Sequence, residues 1–276
     1  MVILKAAIFL ALLAGFLSVV LVLVSKKFAV KEDPLVGDVE EALPQYNCGA
    51  CGFPGCAGFA KYLVESRDPG ALCVPGGPDL QKKLAALLGM EVKAATPTVA
   101  HVFCKGTNSK AKQDGEYFGI QDCVAADLIN AAPKSCPFGC LGLGSCVEAC
   151  AFDALHVVDG IAEVIEENCV ACGACVKACP RDLISMIPQG PRVVVECRSK
   201  DKGAGVKRYC EVGCITCQLC VKKCPENAIA LTDDIIVIDF EKCTLCGTCI
   251  EVCPQNTILP AHFVPEKKEE PKEGTA

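Results

Sequence analysis

The sequence has no tryptophan, four tyrosines, three methionines and three histidines in 276 residues. Eleven phenylalanines complete the aromatic set, too little mass for a large apolar core, so folding is expected to lean on something other than aromatic burial. No GxGxxG turn, Walker loop or Ser/His/Asp arrangement is present, which leaves no pocket for a nucleotide, organic cofactor or acyl-transfer substrate to be inferred. A net charge of -6 argues against nucleic acid as a main partner. Long apolar runs are also scarce. Only residues 6–24 are both uncharged and apolar for the length a helix needs to cross a bilayer.

One residue type is abundant instead. There are 24 cysteines, and their spacing is that of metal ligands rather than of a disulfide framework, which places the chain in a reducing compartment. Cys169, Cys172 and Cys175, followed by Cys179-Pro180, form a CxxCxxCxxxCP run. Three closely spaced thiolates wrap one corner of a cubic 4Fe–4S cluster, while the cysteine before the proline ligates a different cluster. The same run recurs at Cys214, Cys217, Cys220 and Cys224-Pro225, and at Cys243, Cys246, Cys249 and Cys253-Pro254. A fourth copy, Cys140, Cys146 and Cys150, has Leu143 in the second ligand position and Ala151 in place of the proline.

Crossed ligation then predicts the sets Cys214/Cys217/Cys220/Cys253, Cys243/Cys246/Cys249/Cys224 and Cys169/Cys172/Cys175/Cys150. The set Cys140/Cys146/Cys179 is one thiolate short. Either it holds a three-iron cluster, or Cys136 completes it; Cys136 is expected, being close in sequence and preceded by Ala-Ala-Pro-Lys. Upstream, Cys48, Cys51, Cys56 and Cys73 suit a further 4Fe–4S cluster, with glycines 49, 52, 55 and 58 letting the backbone approach it. Zinc is the competing reading there, although a second close pair is missing. Five clusters are thus expected. Cys104, Cys123, Cys197 and Cys210 remain, either as ligands of a sixth cluster at the seam of two halves or as buried thiols packed as small hydrophobes.

Those halves are residues 98–190 and 191–264. Val102-Phe-Cys104-Lys resembles Val195-Glu-Cys197-Arg, and the CxxxC pairs Cys136–Cys140 and Cys210–Cys214 correspond. Each half carries two cysteine runs around a predicted hairpin: residues 154–158 with 161–165 over Asp159-Gly160, and residues 228–231 with 235–238. A short helix is expected after each run, stopped by Pro180, Pro225 or Pro254. Residues 57–65 and 78–90 read as helices.

The fold class expected is α+β: a transmembrane helix (1–26), a linker (27–46), a four-cysteine iron–sulfur domain (47–90), a linker and insertion holding Cys104 and Cys123 (91–135), two tandem two-cluster ferredoxin-like units (136–190 and 191–264), and a charged tail (265–276). A cleaved signal peptide is the alternative for residues 2–25, but the run is long for one, lacks a small-residue cleavage site, and would export the thiols. Lys26, Lys27 and Lys31 after the span, against Lys5 before it, put the body of the chain in the cytoplasm. His101, His156 and His262 have no cysteine at ligand spacing. Lys200, Lys202, Lys207 and Arg208, with Lys222 and Lys223, form a basic stretch that is a solvated face or a docking patch for an acidic ferredoxin.

An N-terminal span, a Cys48–Cys73 domain and two ferredoxin-like pairs, in that order, resemble the B subunit of the Rnf complex over nearly the whole chain. That family belongs to a membrane ferredoxin:NAD oxidoreductase that pumps sodium ions or protons. The resemblance implies a membrane-anchored translocase subunit that accepts electrons from soluble reduced ferredoxin and passes them to cluster- and flavin-bearing membrane partners, with NAD reduction and ion transport lying in other subunits. The competing readings are an iron–sulfur adaptor of a non-pumping dehydrogenase or hydrogenase, and a structural zinc protein.

Overall fold

The computed structural model describes residues 2–27, 33–89, 97–129 and 133–261. Helix α1, Val2–Lys27, is the one described helix long and apolar enough to cross a membrane, through its window Ile8–Ser25. The tail expected at 265–276, His262 and most of the linker before Pro97 lie outside the described residues.

Three helices build the four-cysteine domain: α2 (Pro34–Ala42), α3 (Cys56–Ser66) and α4 (Gly77–Leu88). Helices α3 and α4 lie where the periodicity puts them. Helix α2 corrects the sequence reading, which makes this stretch a spacer. Asp33 caps it by accepting from the Leu35 N–H at 3.0 Å, Pro34 fits its first turn, and Val39 and Leu43 are buried with Phe59, Leu63 and Leu84. Its apolar residues complete a core that α3 and α4 alone cannot close.

The rest of the chain repeats one plan. In the first half, β1 (Thr98–Val102) is followed by α5 (Cys123–Leu128), α6 (Ser145–Glu148), β2 (Leu155–Val158), β3 (Ile161–Val164), α7 (Ala174–Ala178) and β4 (Ile184–Pro188). In the second, β5 (Arg192–Val195) precedes α8 (Ala204–Lys207), α9 (Leu219–Lys223), β6 (Ile229–Thr232), β7 (Ile235–Ile238), α10 (Thr248–Glu251) and β8 (Ile258–Ala261). The hairpins β2–β3 and β6–β7 form as the turn signals predict. In addition, each half's first strand pairs antiparallel with its last: Thr98↔Pro188 to Val102↔Ile184, and Arg192↔Ala261 to Val195↔Ile258. Residues 98–102 therefore belong to the first half's sheet rather than to a linker.

The halves are fastened to each other by polar side-chain pairs. Arg192 of β5, almost fully buried, pairs with Glu166 of the first half and donates to the Gly190 carbonyl at 2.8 Å. His101 of β1 meets buried Glu196 at 3.1 Å.

Candidate metal centres and the family of the chain

The ligand loops come from a backbone motif repeated four times. After the first cysteine of each run, Gly142, Ala171, Thr216 and Leu245 all take positive φ (+73°, +56°, +54° and +59°). Two residues further on, Gly144, Gly173, Gln218 and Gly247 do so again, opening α6, α7, α9 and α10. Left-handed conformations in residues other than glycine cost energy and persist where the surroundings demand them. They fold the loop so that its cysteines face one space. The run with Leu143 keeps this shape although it lacks the thiol. At Gly142 the reason for glycine is direct: a Cβ there would lie 2.4 Å from the Gly160 carbonyl oxygen.

The remote cysteine of each run is held alike. Asp153, Asp182, Asn227 and Asn256, three residues past it, are left-handed, with φ near +50°. The N–H of Ala154, Ala228 and Thr257 then points at the sulfur of Cys150, Cys224 and Cys253 at 3.3–3.4 Å. N–H donors aimed at sulfur stabilise negative charge there.

All 24 cysteines are free thiols. Cys214, Cys217, Cys220 and Cys253 line one cavity, and Cys224, Cys243, Cys246 and Cys249 another. Cys175 feels the charge of Cys169, Cys172 and Cys150, and Cys73 that of Cys48, Cys51 and Cys56. Beside the incomplete run the fold places a cysteine other than the one expected. Cys140, Cys146 and Cys179 share their cavity with Cys123, not Cys136. Asp122 explains the placement: one carboxylate oxygen caps α5 at the Ala125 N–H (2.7 Å), and the other accepts from the Ser145 hydroxyl (3.0 Å). That hydroxyl in turn accepts from the Cys123 N–H at 2.6 Å, so α5 is clamped to the start of α6, which carries Cys146. Cys136 is turned away, its carbonyl accepting from Arg181 at 3.2 Å, and joins Cys104, Cys197 and Cys210 around a separate cavity.

Burial governs the thiols. It pushes Cys73, Cys136, Cys175 and Cys220 up to about 11, and Cys146 and Cys197 up to about 12, from 9.0. Such a donor set is stable as thiolates only around a cationic core. Among the described residues, no three or more His, Cys, Asp or Glu converge on a point fit for a single ion, as tetrahedral zinc requires. The donor chemistry, four thiols lining one cavity, fits an iron–sulfur core.

Comparison with known proteins agrees with this geometry. Residues 43–75 match the FeS family model for an Fe-S cluster, residues 162–185 a 4Fe-4S binding domain, and residues 213–257 a 4Fe-4S dicluster domain. The chain is 46% identical to the B subunit of the proton-translocating ferredoxin:NAD(+) oxidoreductase complex of Clostridium ljungdahlii, over 81% of this chain and 80% of that protein. The chain belongs to the family of Rnf complex B subunits. The B subunit of the ion-translocating oxidoreductase complex of Methanosarcina acetivorans is 42% identical, over 85% of this chain and 90% of its own length. The Na(+)-translocating counterpart from Acetobacterium woodii is 38% identical over 81% and 67%. As an Rnf B subunit, the chain is an iron–sulfur electron-transfer component of a multi-subunit oxidoreductase, and the relatives do not favour the non-pumping adaptor. The family and the apolar α1 indicate membrane association.

Proposed function

We propose that this chain is the membrane-anchored relay of an Rnf-type ferredoxin:NAD oxidoreductase, taking electrons from reduced ferredoxin and passing them to flavin- and cluster-bearing subunits. One observation carries the reading: thiols sorted into four-cysteine sets that adjoin one another, three of the sets each lining its own cavity. A 4Fe–4S cluster supplies a one-electron redox couple when bound. The residues that hold it are Cys48/Cys51/Cys56/Cys73, Cys150/Cys169/Cys172/Cys175, Cys123/Cys140/Cys146/Cys179, Cys214/Cys217/Cys220/Cys253 and Cys224/Cys243/Cys246/Cys249. The two halves are then tandem two-cluster ferredoxin-like units, and the domain from α2 to α4 is a single-cluster module.

Adjacency supports an order. Cys172 lies within electrostatic reach of Cys48, and Tyr46 stacks edge-on against Phe152 at 5.1 Å, so the four-cysteine domain abuts the first half. Cys146 feels Cys175 of the neighbouring set. At the other end, Cys217 and Cys246 are exposed, bringing two sets of the second half to the surface. The Cys217 loop is bracketed by the basic stretch: Gly203 donates to the Ile215 carbonyl at 3.0 Å, and Thr216 to the Asp201 carbonyl at 3.5 Å. Lys200, Lys202, Lys207 and Arg208 are all exposed there, so this rim is where an acidic ferredoxin docks. Helix α1 anchors the chain with its body on the cytoplasmic side, as the flanking lysines direct.

The test is Cys172→Ser in the assembled complex. It should remove one cluster and sharply lower electron flow from ferredoxin to NAD. Undiminished flow would take that site off the path.

A further inference from the structure

We propose a sixth iron–sulfur site, made of Cys104, Cys136, Cys197 and Cys210, which joins the two halves into one continuous run of sites. None of the three family models reaches these residues, which fall outside 43–75, 162–185 and 213–257. The proposal rests on the relay reading above.

The four thiols line one cavity, and they are corresponding residues of the two halves. Cys104 and Cys197 sit directly across from each other in an antiparallel bridge. Cys136 and Cys210 each open a CxxxC pair, and the residues that follow, Phe138-Gly139 and Val212-Gly213, line the same cavity from equivalent places. Lys105 and Arg198, each just after its bridging cysteine, line it too.

Buried thiols serving as small hydrophobes would need neither backbone donors nor cations, yet both are present. The Cys140 N–H points at the Cys104 sulfur at 3.5 Å, and the Ser199 N–H at the Cys197 sulfur at 3.4 Å. Backbone without side chains crowds the remaining sulfurs. A Cβ on Gly106 would stand 3.4 Å from Cys210 Sγ and 3.8 Å from Cys104 Sγ, and one on Gly139 would stand 3.4 Å from Cys136 Sγ. Lys134, at 3% exposure, is held beside the site by the carbonyls of Cys140 and Gly160, and the thiols of Cys104, Cys140 and Cys136 are its main electrostatic partners apart from Asp159.

The location supplies the role. Cys140, whose N–H reaches Cys104, belongs to the last set of the first half, and Cys197 feels Cys214, which belongs to the first set of the second half. A one-electron carrier here takes one electron from one neighbour and gives one to the other, with no bond or proton change. Without it, the two halves would be separated by a gap filled only with thiols.

Iron, acid-labile sulfide and zinc should be counted on the full chain, purified anaerobically in detergent, and on Cys104→Ala/Cys210→Ala. Six cubic sites predict about 24 iron and 24 sulfide for the parent, and a loss of about four of each in the variant. About 20 iron in both proteins would overturn the sixth site and leave the relay reading intact, as would about one zinc lost with the variant. Iron near zero in the parent would instead sink the relay reading itself. The parent count needs no variant, so it decides the matter even if the double substitution misfolds.

Discussion

Lys134 offers the sharpest quantitative prediction. Its ammonium is buried between the Cys104/Cys136/Cys197/Cys210 cavity and the set containing Cys140, donating to the Cys140 carbonyl at 3.1 Å and to the Gly160 carbonyl. Burial pushes its pKa down, while the thiols of Cys104, Cys140 and Cys136 and the Asp159 carboxylate push it up. With clusters bound, the anionic ligand sets proposed on both sides would favour the cation. A unit charge at roughly 8 Å in an effective dielectric of about 20 is worth about 2 kcal/mol. For a one-electron couple that is roughly 90 mV. Lys134→Met keeps the volume of the stem and removes the charge, so both neighbouring sites should become harder to reduce, by several tens of millivolts each. Lys134→Arg should leave the potentials near the parent values. The assay is a potentiometric titration followed by low-temperature EPR, on samples whose iron content matches the parent. If Lys134→Met retains its iron and shows unshifted potentials, the lysine is only a tie between two carbonyls and the electrostatic argument fails.

Further predictions address the ligand sets and the frame. Cys123→Ala should convert the Cys140/Cys146/Cys179 site to a three-iron centre, seen as a new EPR signal in the oxidised protein; the same signal from Cys136→Ala instead would restore the assignment drawn from sequence spacing. Gly142→Ala forces a Cβ into the Gly160 carbonyl and strains a left-handed residue, so the thermal loss of absorbance near 400 nm should begin at a lower temperature than in the parent. Unchanged bleaching would show that the loop can move aside. Arg192→Met breaks a buried pair between the halves and should cost about 3–5 kcal/mol, lowering the thermal midpoint by roughly 10 °C, whereas an unshifted midpoint would mean the halves do not depend on it.

The sequence displays cysteine spacing far better than it displays which cysteines meet. Runs such as Cys214–Cys224 are local, and their loop geometry follows from three or four residues, so the hairpins and ligand loops are legible. The pairing of β1 with β4, and of β5 with β8, joins residues a whole half apart, where no local signal operates. Cys123 was harder still, because it lies in an insertion and reaches Cys146 only through the Asp122–Ser145 clamp. A clue was nevertheless present. The first half alone has an extra cysteine, Cys123, and it alone lacks one, at Leu143. The correspondence of Cys136 with Cys210 likewise points Cys136 towards the seam rather than the gap. Helix α2 was legible too, through Asp33-Pro34 as a cap and first turn, but a polar, proline-containing stretch reads as a spacer when its buried Val39 is overlooked.

The bridge between Cys104 and Cys197 gives the two halves a local twofold relation. Two identical halves meeting this way would form a symmetric dimer, in which travel in either direction is energetically the same. Fusing them into one chain lifts that restriction. Cys123 and Leu143 on one side and the unbroken run Cys214–Cys224 on the other then become independent settings, as do Lys134 and its counterpart Arg208. Covalent duplication thus turns a mirror-like conductor into one that can slope, with a downhill end chosen by point substitutions.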